Sequence, residues 1–210
     1  MRRYVVAAAT NPHWDSLSSR FTRLHGTRRR VDALVLSGQM SRLAADQMYE
    51  ALFLSGFTAF EVFLEEVFLY LLVAPHRGHA RADAIPRLVI RSLMVAREVV
   101  IGPGRKYADW LPFERTLGRA ELFFRGGRPF SDVPKAQRDV VDSAQLIRHA
   151  IAHHSRHSEA QFLSKVVAGI PLPPREQRPG GFLRGVTGTP PATRFETYAA
   201  TLQAVAKIIS

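Results

Sequence analysis

Apolar residues recur every three or four positions along most of the chain, a spacing typical of α-helices that bury one face. The first such run extends from Trp14 to about Leu36 and predicts one long helix, or two helices with a kink near Gly26. Ser37-Gly38 then predicts the end of that helix, because glycine readily adopts the backbone conformation that terminates one.

A second, longer run extends from Ser41 to Val73 and predicts the central helix of the molecule. Ser41 is suited to cap its start, because a serine hydroxyl accepts a hydrogen bond from a free backbone N–H of the first turn. Ser55-Gly56 marks the point at which so long a helix could bend.

The most apolar window of the chain, Leu52 to Val73, is long enough to span a bilayer. Each charge near the centre of a bilayer costs about 2.5 to 3.5 kcal/mol, however. The window contains three such charges, Glu61, Glu65 and Glu66. We therefore expect a buried helix of a soluble protein, with no membrane partner.

Three further elements are predicted between residues 84 and 129, each bounded by glycine or proline. They are a helix from Ala84 or Pro86 to Val100 that Gly102-Pro103-Gly104 stops, a short helix after Pro112 that reaches about Phe124, and a turn at Gly126-Gly127-Arg128-Pro129. Residues 169–193 are rich in proline and glycine and predict a long irregular loop. A final helix is predicted from Thr193 or Arg194 to about Ile209, which makes the chain an all-α protein with one domain spanning residues 1–210.

The helix after the turn has the clearest start and phase. Ser131 or Asp132 is predicted as its N-cap, with Pro134 in the first turn. Its apolar stripe is expected to face the core, since the spacings are four, three and four residues. The stripe consists of Val140, Ala144, Ile147 and Ile151.

Four of the eight histidines fall within nine residues at the end of this helix. On a continuous helix, Arg148 lies at the margin of the apolar stripe, and His149, His153 and His157 form one ridge on the far side. His154 points back toward the stripe, which favours a buried or helix-terminating role. The cluster combines groups that titrate near neutral pH with a permanently charged, planar guanidinium.

Composition narrows the classes of function. The chain has 210 residues and no cysteine, which excludes a disulfide scaffold, thiolate catalysis and cysteine-ligated metals. Its net charge of +11 suits a polyanionic partner such as nucleic acid, although an arginine-rich, lysine-poor chain is also typical of a GC-rich genome. The apolar run near the start is too short for a signal peptide, because Asn11-Pro12-His13 follows it, so the expected location is the cytoplasm.

Three interpretations of the histidine cluster compete. Cationic side chains at a helix C-terminus complement the negative end of the helix dipole without any catalytic role. His149 and His153 have the one-turn spacing of zinc ligands, but no Asp or Glu lies between Asp142 and Glu159, so a third ligand must come from elsewhere. The third interpretation is cleavage of RNA without a metal.

Cleavage of that kind uses the 2′-hydroxyl of the RNA as nucleophile. It needs a base, an acid for the leaving 5′-oxygen, and a cation for the charge that develops on the phosphate. On one helix Arg148 and His153 would lie roughly 140° apart around the axis. Two copies facing each other across a two-fold axis could supply all the groups, which predicts an isologous homodimer.

The segment Arg148-His149-Ala150-Ile151-Ala152-His153 resembles the Arg-polar-x-x-x-His motif of the HEPN superfamily, in which the second position is often Asn. Its surroundings resemble the RiboL-PSP-HEPN group in particular. Phe57–Leu64, with its embedded Glu61, is similar to the first long helix of that group. Pro179–Arg184 and the closing helix are similar to its C-terminal part. The resemblance covers roughly residues 45–209.

This resemblance implies a small helical bundle in which Arg148 and His153 are the catalytic pair and His149 supports them. Many HEPN proteins look like metal-independent endoribonucleases that act as dimers, often beside an antitoxin or in antiviral defence. Their products carry a 2′,3′-cyclic phosphate and a 5′-hydroxyl. Other members keep the fold and only bind RNA, a nucleotide or a protein partner, and this is the alternative function for the present chain.

The remaining candidate residues have two interpretations each. Glu61 could hold Arg148 or His149 from the neighbouring helix, or form a salt bridge inside the bundle without a catalytic role. Arg156 and His157 could bind RNA phosphates. For the run Arg28-Arg29-Arg30 we favour a solvated charged face.

Overall fold

The computed structural model describes residues 11–77, 81–102, 104–105, 107–153 and 155–210. Over these residues the predicted all-α class is confirmed, with eight α-helices and one two-stranded antiparallel hairpin. The helices are α1 (Pro12–Leu36), α2 (Arg42–Val73), α3 (Leu93–Ile101), α4 (Phe113–Phe123), α5 (Lys135–Ala152), α6 (Arg156–Phe162), α7 (Pro179–Arg184) and α8 (Arg194–Ile209). The strands are β1 (Val186–Thr187) and β2 (Ala192–Thr193). The start of the chain, for which we predict no signal peptide, and His154 lie outside the described residues.

Helices α1 and α2 form a helical hairpin whose ends agree with the sequence signals. α1 is a single helix through Gly26, which is one of the two predicted alternatives. It ends at the C-cap residue Ser37, and Gly38 follows with a positive φ of 73°. The Ser41 hydroxyl accepts a hydrogen bond from the N–H of Ala44 at 3.2 Å and caps α2, as predicted.

α2 is the central helix and packs against α1, α3, α5, α7 and α8. It is helical throughout Ser55-Gly56. Gly56 has a packing role, because a Cβ at this position would lie only 3.2 Å from side-chain atoms of Phe21 and Leu24. The absence of a side chain therefore lets α1 and α2 approach closely.

The third helix begins later than predicted, at Leu93 rather than at Ala84 or Pro86. The residues before it pair with the end of α4. Pro86 forms a β-bridge with Phe124, and the N–H of Arg87 donates to the carbonyl of Phe123 at 2.8 Å. Backbone groups engaged in this pairing cannot close a helical turn, so the helix starts only after it. The stop before Gly102, the short helix after Pro112 and the turn near Gly126 agree with the prediction.

The start of α5 differs from the prediction that Ser131 or Asp132 caps it. These residues belong to a separate 3₁₀ turn, Phe130–Asp132, and Pro134 occupies the N-cap position without a side-chain cap. The Ser131 hydroxyl instead donates to the carbonyl of Gly126 at 2.8 Å. The turn before the helix therefore uses the group that the sequence assigned to the cap.

The core-facing side of α5 differs from the prediction at one position. Val141 is buried, whereas the predicted Val140 is half-exposed. Ala144, Ile147 and Ile151 are buried as expected, and α5 packs against α2 and α8. The helix therefore has the predicted phase over its last three turns, which fixes where Arg148 and His149 lie.

The segment predicted as an irregular loop, residues 169–193, contains regular structure. It holds a 3₁₀ turn at Pro174–Gln177, helix α7 and the β1–β2 hairpin. α7 lies directly on the start of α2, where the N–H of Gly180 donates to a carboxylate oxygen of Glu50 at 2.9 Å. A Cβ at Gly180 would lie 2.5 Å from the carbonyl oxygen of Asp46, so the glycine allows this contact. Glycine and proline residues that allow close packing in this segment therefore give the same sequence pattern as an irregular loop.

α8 begins with the capping box of Thr193 and Glu196, in agreement with the predicted start. The same glutamate forms an ion pair with Arg28 at 2.8 Å, and Arg28 pairs with Asp32 as well. The Arg28 side chain is only 11% exposed, so the predicted solvated charged face is wrong for this residue. Arg29 and Arg30 are exposed.

The buried residues of the described helices form one hydrophobic cluster that is rich in phenylalanine. Phe68 on α2 is central to it and contacts the rings of Trp110, Phe124 and Phe130 at centroid distances of 5.0 to 5.1 Å. Within the described ranges, no helix is long and apolar enough to cross a membrane.

Candidate active site: the end of helix α5 and the adjoining cleft

Helix α5 ends at Ala152, one residue before the histidine that the motif assigns to catalysis. His153 has an extended backbone, with φ −123° and ψ 96°. Ser155 causes this break, because its hydroxyl caps α6 by accepting from the N–H of Ser158 at 3.2 Å. The Ser158 hydroxyl in turn donates to the carbonyl of His153. The predicted ridge of His149, His153 and His157 on one continuous helix is therefore wrong.

The break brings the two motif residues together within one chain. The Nη1 atom of Arg148 lies 3.4 Å from Nε2 of His153. The angle of roughly 140° expected on a continuous helix does not apply, because His153 has left the helical path. The His149 and His153 rings also meet edge to face, with centroids 5.8 Å apart. Arg148, His149 and His153 thus form one cluster.

The contact between Arg148 and His153 favours one tautomer of the histidine. A guanidinium has only N–H donors, so Nε2 of His153 must act as the acceptor in this contact. The contact therefore suits the tautomer of His153 that carries its ring proton on Nδ1.

His149 lies half-buried at the last turn of α5, and its surroundings disfavour its charged form. Burial lowers the pKa of the His149 imidazole below its usual value, and the neighbouring Arg148 and His153 side chains lower it further. The neutral imidazole therefore predominates near pH 7. His153, in contrast, is exposed.

A cleft of about 880 Å³ adjoins this cluster and is lined by Arg148 and His149. One wall is the face of α2 that carries Glu61 and Glu65, which are four residues apart and therefore project in the same direction. The other wall is residues 107–112, before α4. The volume is within the range of about 300–1,000 Å³ that is usual for small-molecule and cofactor sites.

Two contacts hold the wall at residues 107–112 in place. Trp110 is 5% exposed and donates from its indole N–H to Glu65 at 3.2 Å. Asp142 on α5 accepts from the backbone N–H of Phe113 at 2.7 Å and so fixes the start of α4. Burial raises the pKa of Asp142, although this hydrogen bond opposes the rise. The wall of the cleft is thereby tied to α2 and to α5, the helices that carry Glu61 and Arg148.

Charges in the cleft are mostly paired, and Arg148 is the exception among its arginines. Arg97 forms an ion pair with Glu65 at 2.9 Å, and Arg115 pairs with Asp109 at 3.0 Å. Within the described residues, Arg148 makes no ion pair, and its recorded side-chain contact is the one with His153. Its charge is therefore available to an anion.

Glu61, the predicted supporting residue, lies in the same cleft on α2. Burial raises the pKa of the Glu61 carboxyl, and the charge of Arg148 opposes part of that rise. The two residues therefore interact electrostatically across the cleft. The structure gives no hydrogen bond between Glu61 and Arg148 or His149 in the described part of the chain.

His153 lines a second, smaller groove of about 430 Å³. Ser155 and Glu159 also line it, together with Arg178 from the start of α7. Arg148 and His153, which contact each other, thus line two different concave surfaces.

The predicted RNA-binding residues Arg156 and His157 are exposed in the first turn of α6. Among the described residues, no hydrogen bond or ring contact joins either of them to Arg148 or His153. They lie beside the cluster in sequence without belonging to it. The described residues also contain no group of three His, Asp or Glu side chains arranged to hold a metal ion.

Several residues that shape the site were not predicted from the sequence. The capping role of Ser155 has a weak local signal, since a serine at this position is a common helix start. The roles of Trp110 and Asp142 have none, because their partners Glu65 and Phe113 lie far away along the chain. Comparisons with protein-family models, with curated proteins and with solved structures give no match to this chain.

Proposed function

We propose that the protein is a metal-independent endoribonuclease of the HEPN type. The observation that carries the proposal is the contact of 3.4 Å between Arg148 and His153 at the exposed end of α5. An arginine without an ion-pair partner among the described residues and an imidazole that can accept a proton are the groups that cleavage by a 2′-hydroxyl needs. The net charge of +11 supports a polyanionic substrate.

In the proposed reaction, the 2′-hydroxyl oxygen attacks phosphorus and loses its proton to the neutral imidazole of His153. The bond from phosphorus to the 5′-oxygen breaks, and the leaving oxygen takes a proton from a protonated imidazole, which acts as the general acid. The products are a 2′,3′-cyclic phosphate and a 5′-hydroxyl. Arg148 stabilises the negative charge on the phosphoryl oxygens. His149 orients the pair or takes part in proton transfer.

Dimerisation is part of the proposal on the strength of the resemblance. The contact between Arg148 and His153 removes the geometric reason for two facing helices, because one chain already joins the motif residues. A second copy could still contribute the acid that complements a single base. An antitoxin or a sensor protein is the further partner that the resemblance suggests.

Cleavage of mixed RNA by the purified protein tests the function. We expect cleavage to persist in excess EDTA, with 2′,3′-cyclic phosphate ends detected by mass spectrometry. Arg148→Ala and His153→Ala should each lower the rate by about 10²- to 10⁴-fold. His25→Gln is the matched control, because this histidine lies on α1 against Phe195 and outside the cleft, and its rate should stay within a few-fold of the wild type.

Two results would contradict the proposal. Loss of cleavage in EDTA would point to a metal-dependent reaction. Intact binding of diverse RNAs without cleavage would favour the non-catalytic HEPN alternative, in which the same basic cluster only holds the RNA.

A further inference from the structure

Glu61 differs from the other carboxylates of the large cleft. Glu65 accepts from Trp110 and pairs with Arg97, Glu66 contacts His13 at 3.1 Å, and Asp109 pairs with Arg115. Among the described residues, no hydrogen bond or ion pair engages the Glu61 carboxylate. A half-buried carboxylate without such a partner is costly unless something else supplies donors.

The cleft therefore contains two charged side chains of opposite sign that have no ion-pair partner among the described residues. Arg148 offers N–H donors and a positive charge, which suit a phosphate. Glu61 offers two acceptor oxygens, which suit a group with two adjacent N–H donors. Arg148 and Glu61 line the same cleft, so one ligand could satisfy both. A nucleotide unit of RNA is such a ligand, since it carries a phosphate and a base.

The four RNA bases differ in what they could offer to Glu61. The Watson–Crick edge of guanine carries two neighbouring donors, N1–H and the 2-amino group, which match the two oxygens of a carboxylate. The corresponding edges of cytosine, adenine and uracil interleave donors with acceptors. A carboxylate facing any of these three would bring at least one lone pair against another.

An aromatic side chain lies at the same cleft. Tyr107 belongs to the wall before α4 and is 72% exposed. Proteins commonly bind unstacked RNA bases by stacking them on exposed aromatic rings. Tyr107 is therefore positioned at the cleft to contribute the stacking contact that a carboxylate alone does not give.

We propose that the cleft between α2 and residues 107–112 is a guanine-binding subsite, in which Glu61 accepts from the base, Tyr107 stacks on it and Arg148 holds the adjoining phosphate. This inference rests on the proposed function, because it takes RNA as the substrate. It defines that substrate as single-stranded RNA with a guanine beside the scissile phosphate. A paired guanine is excluded, since its Watson–Crick edge is already occupied.

Binding of oligonucleotides that cannot be cleaved tests the subsite independently of catalysis. The probes are fluorescently labelled 2′-O-methyl hexamers with five uridines and one variable base, and the readout is the dissociation constant from fluorescence anisotropy. The guanine probe should bind about tenfold more tightly than the inosine probe, which lacks only the 2-amino group, because the lost hydrogen bond is made to a charged acceptor. The adenine and uracil probes should bind more weakly than the guanine probe.

Variants then assign the preference to a residue. Glu61→Gln should remove the difference between guanine and inosine, because the carboxamide replaces one acceptor by a donor. Glu66→Gln is the matched control, since Glu66 lines the same cleft but contacts His13, and it should keep the tenfold difference. Tyr107→Ala should weaken binding of every probe by roughly fivefold or more without changing their order.

The outcomes separate this inference from the proposed function. Equal affinities for guanine and inosine, tighter binding of a cytosine probe, or a guanine preference that survives Glu61→Gln would each overturn the guanine subsite even if RNA is cleaved. A guanine preference that Glu61→Gln abolishes would support the subsite even if the protein cleaves no RNA. Absence of cleavage would in that case contradict only the ribonuclease proposal.

Discussion

At the scale of single residues, His149 and His153 differ in their environments although both belong to the same short motif. His149 is half-buried beside the positive charge of Arg148, whereas His153 is exposed and its Nε2 lies 3.4 Å from the guanidinium of Arg148. The difference arises from where α5 ends. A histidine one turn earlier stays on the helix and is covered, and the histidine after the last turn leaves it.

The environment of His149 predicts a pH dependence of stability. Its pKa is lowered in the folded protein, so between that value and about 6.5 the unfolded chain binds more protons. The contribution of His149 to the free energy of unfolding is therefore largest above pH 6.5 and is lost as the pH falls through this window. Urea denaturation at pH 7.5 and pH 5.5 should show a smaller loss for His149→Gln than for the wild type.

His157→Gln serves as the comparison for this experiment, since His157 is an exposed histidine of the next helix. Its loss of stability between the two pH values should match that of the wild type. An identical loss for His149→Gln and the wild type would show that burial of His149 does not disfavour its protonation.

At the scale of elements, the junction between α5 and α6 depends on two serines. Ser158 is 7% exposed, and its hydroxyl donates to the carbonyl of His153. Ser158→Ala leaves that carbonyl without this donor and should lower the free energy of unfolding by about 1–2 kcal/mol. Backbone amides of α6 should also exchange with solvent faster, as measured by hydrogen–deuterium exchange.

Ser164→Ala is the control for the junction. Its hydroxyl donates to the carbonyl of Ala160 at 2.7 Å on the exposed side of the same segment. We expect a change within about 0.5 kcal/mol, as is usual for surface positions. Equal effects of the two substitutions would mean that Ser158 does not hold the backbone of His153.

A second element-scale prediction concerns α7. Gly180→Ala places a methyl group 2.5 Å from the carbonyl oxygen of Asp46, so α7 must shift away from α2. We expect a loss of about 1–3 kcal/mol in denaturation experiments, the usual cost of overpacking. Gly118→Ala in α4 is the control, because a Cβ there meets nothing within 4 Å and should be neutral or stabilising by up to about 1 kcal/mol. Similar changes in stability for the two substitutions would contradict the close contact between α7 and α2 at Gly180.

At the scale of the whole molecule, the sequence predicted those parts of the fold that depend on neighbouring residues. Ser41 caps the helix that it was expected to cap, and the last helix starts where it was predicted, at Thr193 and Arg194, because helix starts depend on contacts across three residues. The predictions failed where a distant partner decides the structure. Residues 85–87 pair with the end of α4, and Arg28 is held by Glu196 of the last helix.

The candidate site shows the same division between local and distant contacts. Arg148, His149 and His153 could be selected from the sequence because the motif is contiguous. Their mutual geometry could not be predicted from the sequence, since it depends on where Ser155 starts a new helix. The cleft was not predicted either, because its walls come from α2, α5 and residues 107–112. Only the folded chain brings Glu61 and Tyr107 to the same concave surface.

The position of Trp110 gives the cleft an optical reporter of its own. The chain contains two tryptophans, and the indole of Trp110 lies in the cleft wall with its N–H bound to Glu65 and the guanidinium of Arg119 over its ring at 5.0 Å. Indole emission depends on such charges and on access of solvent. With Trp14 replaced by phenylalanine, the tryptophan fluorescence of the protein would come from the cleft wall alone, so occupancy of the cleft could be followed without attaching a dye.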